Sequence, residues 1–273
     1  VTWTSLRVQA PGQLPEASAA LFAAGAQGVH EDGPALVTHF PPEVDVAAII
    51  RQVHAAVPGA VCDTSATEPI DWSVHWRDKL HAHTLGRLTI APTWLAEGLD
   101  PASTIVIDPG MAFGTGDHPT TRGATRLLQD VVQPGLVVAD LGAGSAVLSI
   151  AAAKLGASRV FSIEYDGEAI GNAEENVRRN GVDGIVHVFE GDATILLPLV
   201  APVDTVVANI ISSVLVELLP AIHGALRPGG RAVLAGILLE EREAMLEALG
   251  ADGWRLERED VEDVWWSITI AKA

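Results

Sequence analysis

The residues Val137-Val138-Ala139-Asp140-Leu141-Gly142-Ala143-Gly144-Ser145-Ala146 carry the sharpest chemical signal in the chain. An apolar strand pattern runs into a glycine turn and leaves it as a helix. Glycines at 142 and 144 let backbone approach a ligand where a Cβ would collide. The opening turn of the helix presents its free N–H groups at the same place. Glu164 follows 20 residues after Gly144, at the tip of the next strand. A carboxylate there can accept both hydroxyl hydrogens of a ribose. Two cofactor classes use this arrangement. The dinucleotide fingerprint G-x-G-x-x-G needs glycine or alanine at 147, and this chain has Val147, which keeps the helix from packing close under a pyrophosphate. S-adenosylmethionine has no pyrophosphate and tolerates that side chain, so the residues favour the methyl donor. The plain alternative is a glycine turn in an unrelated α/β protein.

Two more strand ends fall in register with this pair. Gly191-Asp192-Ala193 follows the third strand, where Asp192 can accept from an adenine amino group. Asn209 ends the fourth, in Val207-Ala208-Asn209-Ile210-Ile211. Ligands of open α/β sheets lie at the carboxyl ends of the strands, so Asn209 falls beside the methyl group, with its carboxamide oxygen available to an amine. Upstream, the Pro- and Gly-rich segment Ile107–Thr121 (IDPGMAFGTGDHPTT) leads into a helix and can fold over the cofactor end. Its bland reading is a rigid connection capped by Thr120 or Thr121. His118 is a conceivable base there, but a loop-stabilising histidine is the preferred reading. His75, His81 and His83 lack the cysteines or carboxylates that would complete a ligand set, so no metal is expected.

The elements that position these groups alternate. Strands are expected at Val137–Leu141, Val160–Glu164, Val186–Glu190, Thr205–Asn209 and Ala232–Gly236. Helices are expected at Val147–Leu155, Gly167–Asn180, Val214–Leu226 and Glu240–Leu249, with a closing antiparallel pair at Trp254–Asp260 and Trp265–Ala271. This is the pattern of a parallel sheet with helices on both faces. The first 66 residues follow another order, βαββαβ, with strands Trp3–Gln9, Gly28–Glu31, Ala35–Phe40 and Val61–Ala66 and helices Leu14–Ala24 and Val44–Val57. That order fits a small ferredoxin-like α+β sandwich with no catalytic cluster. Between the two, Trp72 and Trp76 lie four apart and suggest a linker helix. The expected domains are 1–66, a linker helix at 67–85, and a Rossmann-like domain at 86–273.

Composition narrows the partners. There are 17 Lys+Arg against 35 Asp+Glu, a net charge of -18, so the field repels polyphosphate and direct nucleic-acid binding is not expected. The richest apolar candidate, Val206–Leu219, is interrupted by Asn209, Ser212, Ser213 and Glu217, so no membrane span is expected. The single cysteine, Cys62, and an opening Val1-Thr2-Trp3-Thr4 without basic head or apolar core fit a cytoplasmic protein.

DPGMAFGTGDHPTT, VADLGAGSAVLSIAAAKLGA, NIISSVLVELLP and RPGGRAVLAGIL together resemble the bacterial methyltransferase family that modifies large-subunit ribosomal protein eleven. The N-terminal module and the DWSVHWRDKL linker are similar to that family too, so the resemblance covers nearly the whole chain. It implies an S-adenosylmethionine-dependent methyltransferase fold, and transfer of methyl groups to lysine ε-amines and the N-terminal α-amine of ribosomal protein eleven. It implies that the small domain recognises that protein and the linker repositions it. Cofactor contacts then fall on Thr121, Gly142, Glu164 and Asn209, to which the glycine turn and the third strand end add Gly144 and Asp192. Asn209 with Phe113, Gly114 and Thr115 forms the transfer site, in a monomer with no metal. The chain departs from the family at Ala143 and Ala146 (usually Thr and Gly), Glu164 (usually Asp), Gly167 (often Pro) and Asp117 (usually Thr or His). The Ile211-Ser212-Ser213 stretch after Asn209 also differs. The competing functions are methylation of another protein or a small amine, and a non-catalytic cofactor-binding factor in ribosome assembly.

Overall fold

The computed structural model describes residues 3–26, 28–33, 35–67, 80–108, 114, 116–251 and 253–272. The chain divides into two compact units, Val1–Lys79 and Leu80–Ala273.

In the first unit, strands β1 (Trp3–Gln9), β2 (His30–Asp32), β3 (Ala35–Phe40) and β4 (Val61–Thr67) form an antiparallel sheet in the order β2-β3-β1-β4. Helices α1 (Leu14–Ala23) and α2 (Val46–Ala56) pack on it through Leu21, Ile49 and Val53, against Leu6, Val8 and Leu36. The Asp45 side chain caps α2 by accepting from the Ala48 amide.

The second unit is built on seven strands: β8 (Val137–Leu141), β9 (Arg159–Glu164), β10 (Val186–Glu190), β11 (Val203–Asn209), β12 (Leu226–Leu238), β13 (Trp254–Glu262) and β14 (Trp265–Lys272). Their order is β10-β9-β8-β11-β12-β14-β13, with the first five parallel and β14 and β13 antiparallel. The inner parallel strands β8, β11 and β12 are largely apolar on both faces because helices cover both. Val138, Val160, Val207 and Val233 face α3 (Pro119–Val131), α4 (Val147–Lys154) and α5 (Gly167–Arg179). Leu141, Ile163, Val206 and Leu234 face α6 (Ala193–Val200), α7 (Ser212–Ala225) and α8 (Arg242–Ala251). Order reverses between β8 and β11, and the crevice at that switch point is where such sheets hold ligands. An all-parallel dinucleotide-binding sheet puts a sixth parallel strand beside the fifth; here the antiparallel β14 takes that place. Among the described residues no helix is long and apolar enough to cross a membrane.

Three expectations change. The linker helix at 67–85 is not helical at either described end: Thr67 closes β4, and His83–Leu85 is a strand, β5. Residues 68–79 lie outside the described residues. β5 pairs with β6 (Leu88–Pro92), and β6 with β7 (Thr104–Ile107), a small sheet whose Leu88, Ile90, Ile105 and Ile107 join the core under α3 and α4. The larger unit therefore begins near residue 80, since β5 needs β6 for its hydrogen bonds. Finally, Ala193–Val200 is a helix that Pro198 disguises in the sequence.

Candidate active site

Gly142 (φ +68°) and Gly144 (φ +52°) both adopt the left-handed conformation that glycine accepts freely. A Cβ on Gly142 would lie 2.4 Å from Ile210 Cγ2, so the turn has no room for a side chain there. Ala146 also sits at φ +64°, where an L-residue is strained by about 1–2 kcal/mol. Its buried methyl packs in the α3–α5 core.

Glu164 folds back over this turn. Oε2 accepts from the Gly144 amide at 2.7 Å and Oε1 from the Asp166 amide at 2.8 Å. The carboxylate thus braces the glycine turn while lining a cleft of about 310 Å³ together with Gly142 and Asp192. Asp192 caps α6: Oδ1 accepts from Thr194 N (2.8 Å) and Thr194 Oγ1 (2.7 Å). These bonds hold its carboxyl below the usual range.

Asn209 lines a second cleft, of about 480 Å³, with His118, Ile211, Gly236 and Trp265. Ile210 and Val214 line both clefts, so the two share a wall. Asn209 Nδ2 donates to Thr121 Oγ1 at 3.3 Å, which leaves Oδ1 for an acceptor role. Thr121 is fully buried beneath Asn209.

The loop before α3 is tied to the turn and to the closing strands. Ser145 Oγ donates to Gly114 O at 2.6 Å, and Gly114, at φ +105°, would place a Cβ 2.7 Å from that hydroxyl. His83 Nε2 and Asp117 Oδ1 lie 2.6 Å apart. Arg122 donates to Asp117 O and to Glu262 of β13, and Arg126 bonds Asp260 and Glu262 at 2.7 Å. Phe113 and Thr115 lie outside the described residues. Burial lowers the His118 pKa, as does nearby Arg122, while Asp117 opposes them. Its ring packs edge-on to Trp265 at 5.0 Å and its Nδ1 lies 2.8 Å from Thr120 Oγ1. Among the described residues no group of three or more His, Cys, Asp and Glu side chains could hold a metal; His75 lies outside them.

Sequence reasoning missed Ile210, Gly236 and Trp265. Gly236 had a signal, since an isolated glycine in a strand marks close backbone approach. A Cβ there would lie 2.4 Å from Ile210 O. Ile210 is thus held between Gly142 of the turn and Gly236 of β12.

Asp140, two residues before the turn, is fully buried and accepts from Ser149 Oγ at 2.6 Å. Burial, aided by the Glu164 charge, pushes its carboxyl up to about 7 against a hydrogen bond that pulls the other way. An unfolded Asp titrates near 3.8. Below that pH the group is protonated in both states. Between about 4 and 7 the unfolded chain loses the proton while the fold keeps it, and stability falls by ~4 kcal/mol. Asp140→Asn removes this slope, so thermal melts should show the variant gaining ~5–10 °C on the wild type between pH 5 and 8. Parallel melting curves would mean that Asp140 is ionised in the fold.

Residues 3–273 match the family model described as ribosomal protein L11 methyltransferase. A protein of that name from Vibrio cholerae is 38% identical over 221 residues, 78% of this chain and 72% of the relative. One from Symbiobacterium thermophilum is 40% identical over 215 residues, 75% of this chain and 66% of the relative. The crystal structure of a ribosomal protein L11 methylase from Lactobacillus delbrueckii subsp. bulgaricus superposes with a TM-score of 0.62 at 31% identity, covering 71% of this chain and 99% of that one. The chain belongs to the ribosomal protein L11 methyltransferase family.

Proposed function

We propose that this chain is an S-adenosylmethionine-dependent methyltransferase that N-methylates ribosomal protein L11 at lysine ε-amines and at the N-terminal α-amine. The observation that carries the reading is the shared wall of Ile210 and Val214. On one side lie the glycine turn, Glu164 and Asp192; on the other lies Asn209. The first cleft fits the cofactor by its chemistry: a carboxylate at the tip of the second core strand for the ribose hydroxyls, and a glycine-lined approach with no basic side chain suited to a pyrophosphate among its described lining residues. Glu164, Gly142, Gly144 and Asp192 would hold the nucleoside, with Thr121 supporting the strand end. When bound, the cofactor supplies an electrophilic methyl group.

The chain's own residues prepare the acceptor. A free lysine, with a pKa near ~10.4, is almost wholly protonated at neutral pH. The second cleft is walled by Ile210, Ile211, Val214 and Trp265 and has no carboxylate among its described lining residues. Such walls lower an ammonium pKa and favour the neutral amine. Asn209 Oδ1 then accepts one amine N–H and aims the lone pair, and this positioning needs no covalent enzyme intermediate. Phe113, Gly114 and Thr115 complete the transfer site in this reading. The ferredoxin-like module 1–66 recognises the protein substrate, and the net charge of -18 disfavours nucleic acid as a direct partner. The protein acts as a cytoplasmic monomer.

The division of labour has a direct test. A variant starting at Glu68 should bind S-adenosylhomocysteine normally but methylate ribosomal protein L11 poorly when that protein is limiting. Full activity of the shortened chain under those conditions would remove the recognition role from residues 1–66.

A further inference from the structure

Asn172 and Asn176 of α5, with Asn180 just after its end, are spaced by four and so share one helix face. That face meets the outer edge of β7, whose alternate residues offer unpaired backbone groups. Asn180 Oδ1 accepts from Val106 N at 2.8 Å and its Nδ2 donates to Val106 O at 2.7 Å. Two residues on, Asn176 Oδ1 accepts from Asp108 N at 3.0 Å, and Asn172 Nδ2 donates to Asp108 O at 3.4 Å. A ladder of carboxamides thus completes the strand edge.

Asn176 does more than its neighbours. It is fully buried, and all four of its hydrogen-bonding positions are used. Oδ1 also accepts from Arg179 Nη1 at 2.8 Å, and Nδ2 donates to Asn172 Oδ1 at 3.3 Å and to Ser145 O at 3.2 Å. Ser145 belongs to the glycine turn and itself donates to Gly114 O at 2.6 Å. Asp108 and Gly114, the described residues on either side of 109–113, are therefore both anchored to one turn residue, one through Asn176 and one directly.

We propose that Asn176 and Ser145 are positioning residues for methyl transfer, setting Asp108 and Gly114 against the cofactor-binding turn. The assignment rests on the methyl-transfer reading above. Asn176→Asp keeps the shape and the acceptor toward Asp108 but turns the donor facing Ser145 O into a second acceptor. Single-turnover transfer to ribosomal protein L11 should slow roughly 10- to 100-fold, as a displacement of about 1 Å can cause. S-adenosylhomocysteine affinity should stay within about threefold. Amide exchange at residues 104–108, 114, 116 and 117 should quicken at least ~10-fold. Ser145→Ala should move the rate and the exchange in the same direction, and decides the matter if Asn176→Asp does not fold. Asn180→Ala removes the same kind of ladder bonds one turn away from the glycine turn. It should lower the melting temperature yet keep the transfer rate within about threefold.

Equal slowing by Asn180→Ala would make the whole ladder structural and overturn the proposal. So would faster exchange in Asn176→Asp or Ser145→Ala with an unchanged transfer rate. A wild-type chain that binds cofactor but never transfers methyl would overturn the reading beneath it; the exchange data, which need no turnover, tell that failure apart from failure of the anchor.

Discussion

Asn209→Ala should lower kcat and kcat/KM together by roughly 30- to 1,000-fold, while the fold and much of the cofactor affinity survive. The size follows from losing one oriented hydrogen bond that matters mainly in the transition state, ~2–4 kcal/mol. Asn209 lines the second cleft next to Ile210 of the shared wall, with Nδ2 on Thr121 Oγ1 and Oδ1 available to an amine. A purely structural Asn209 predicts something else: a lowered melting temperature, with residual activity tracking the folded fraction. Thr121→Val separates the two, since it removes the brace and keeps the carboxamide; its loss should be smaller than that of Asn209→Ala. Single-turnover transfer at saturating cofactor, paired with thermal melts, measures both. A stable Asn209→Ala variant with near-normal turnover would end the catalytic assignment.

Glu164→Ala should raise the Kd for S-adenosylmethionine roughly 10- to 150-fold, the equivalent of ~1.5–3 kcal/mol for a charged acceptor. The structure adds a second cause beside the proposed ribose contact. The carboxylate accepts from the Gly144 and Asp166 amides, so its removal also frees the turn that the cofactor must meet. Glu164→Gln keeps one carbonyl oxygen and should lose less affinity. Calorimetric titration of folded protein reads both, and wild-type affinity in Glu164→Ala would take that residue out of the site.

What could be read beforehand was whatever depends on one strand and the turn that follows it. Strand periodicity put Gly142, Glu164, Asp192 and Asn209 each at a strand end, and a doubly wound sheet brings successive strand ends to one edge. The features missed depend on approach between distant segments. Ile210 matters because Gly142 and Gly236 both leave it room, and those residues are far apart in the chain. Trp265 reaches the second cleft only because β14 inserts antiparallel beside β12. The small sheet β5–β7 was illegible because its strands are short and their apolar residues are buried by α3 and α4 rather than by a pattern of their own. The asparagine ladder reads in sequence as an ordinary polar helix face. Only the strand edge opposite gives it a role. The spacing of Trp72 and Trp76 suggests a linker helix, but β5 pairing wins over helix at its described end.

On this reading, methyl groups pass from S-adenosylmethionine in the first cleft to an amine of ribosomal protein L11 in the second, where Ile210 and Val214 line both. The most direct measurement incubates the full chain with purified ribosomal protein L11 and methyl-labelled S-adenosylmethionine, then maps the label by mass spectrometry. Label on lysine ε-amines and the N-terminal α-amine, lost with Asn209→Ala, is the predicted result. Cofactor binding without incorporation, or label that persists undiminished in Asn209→Ala, would contradict it.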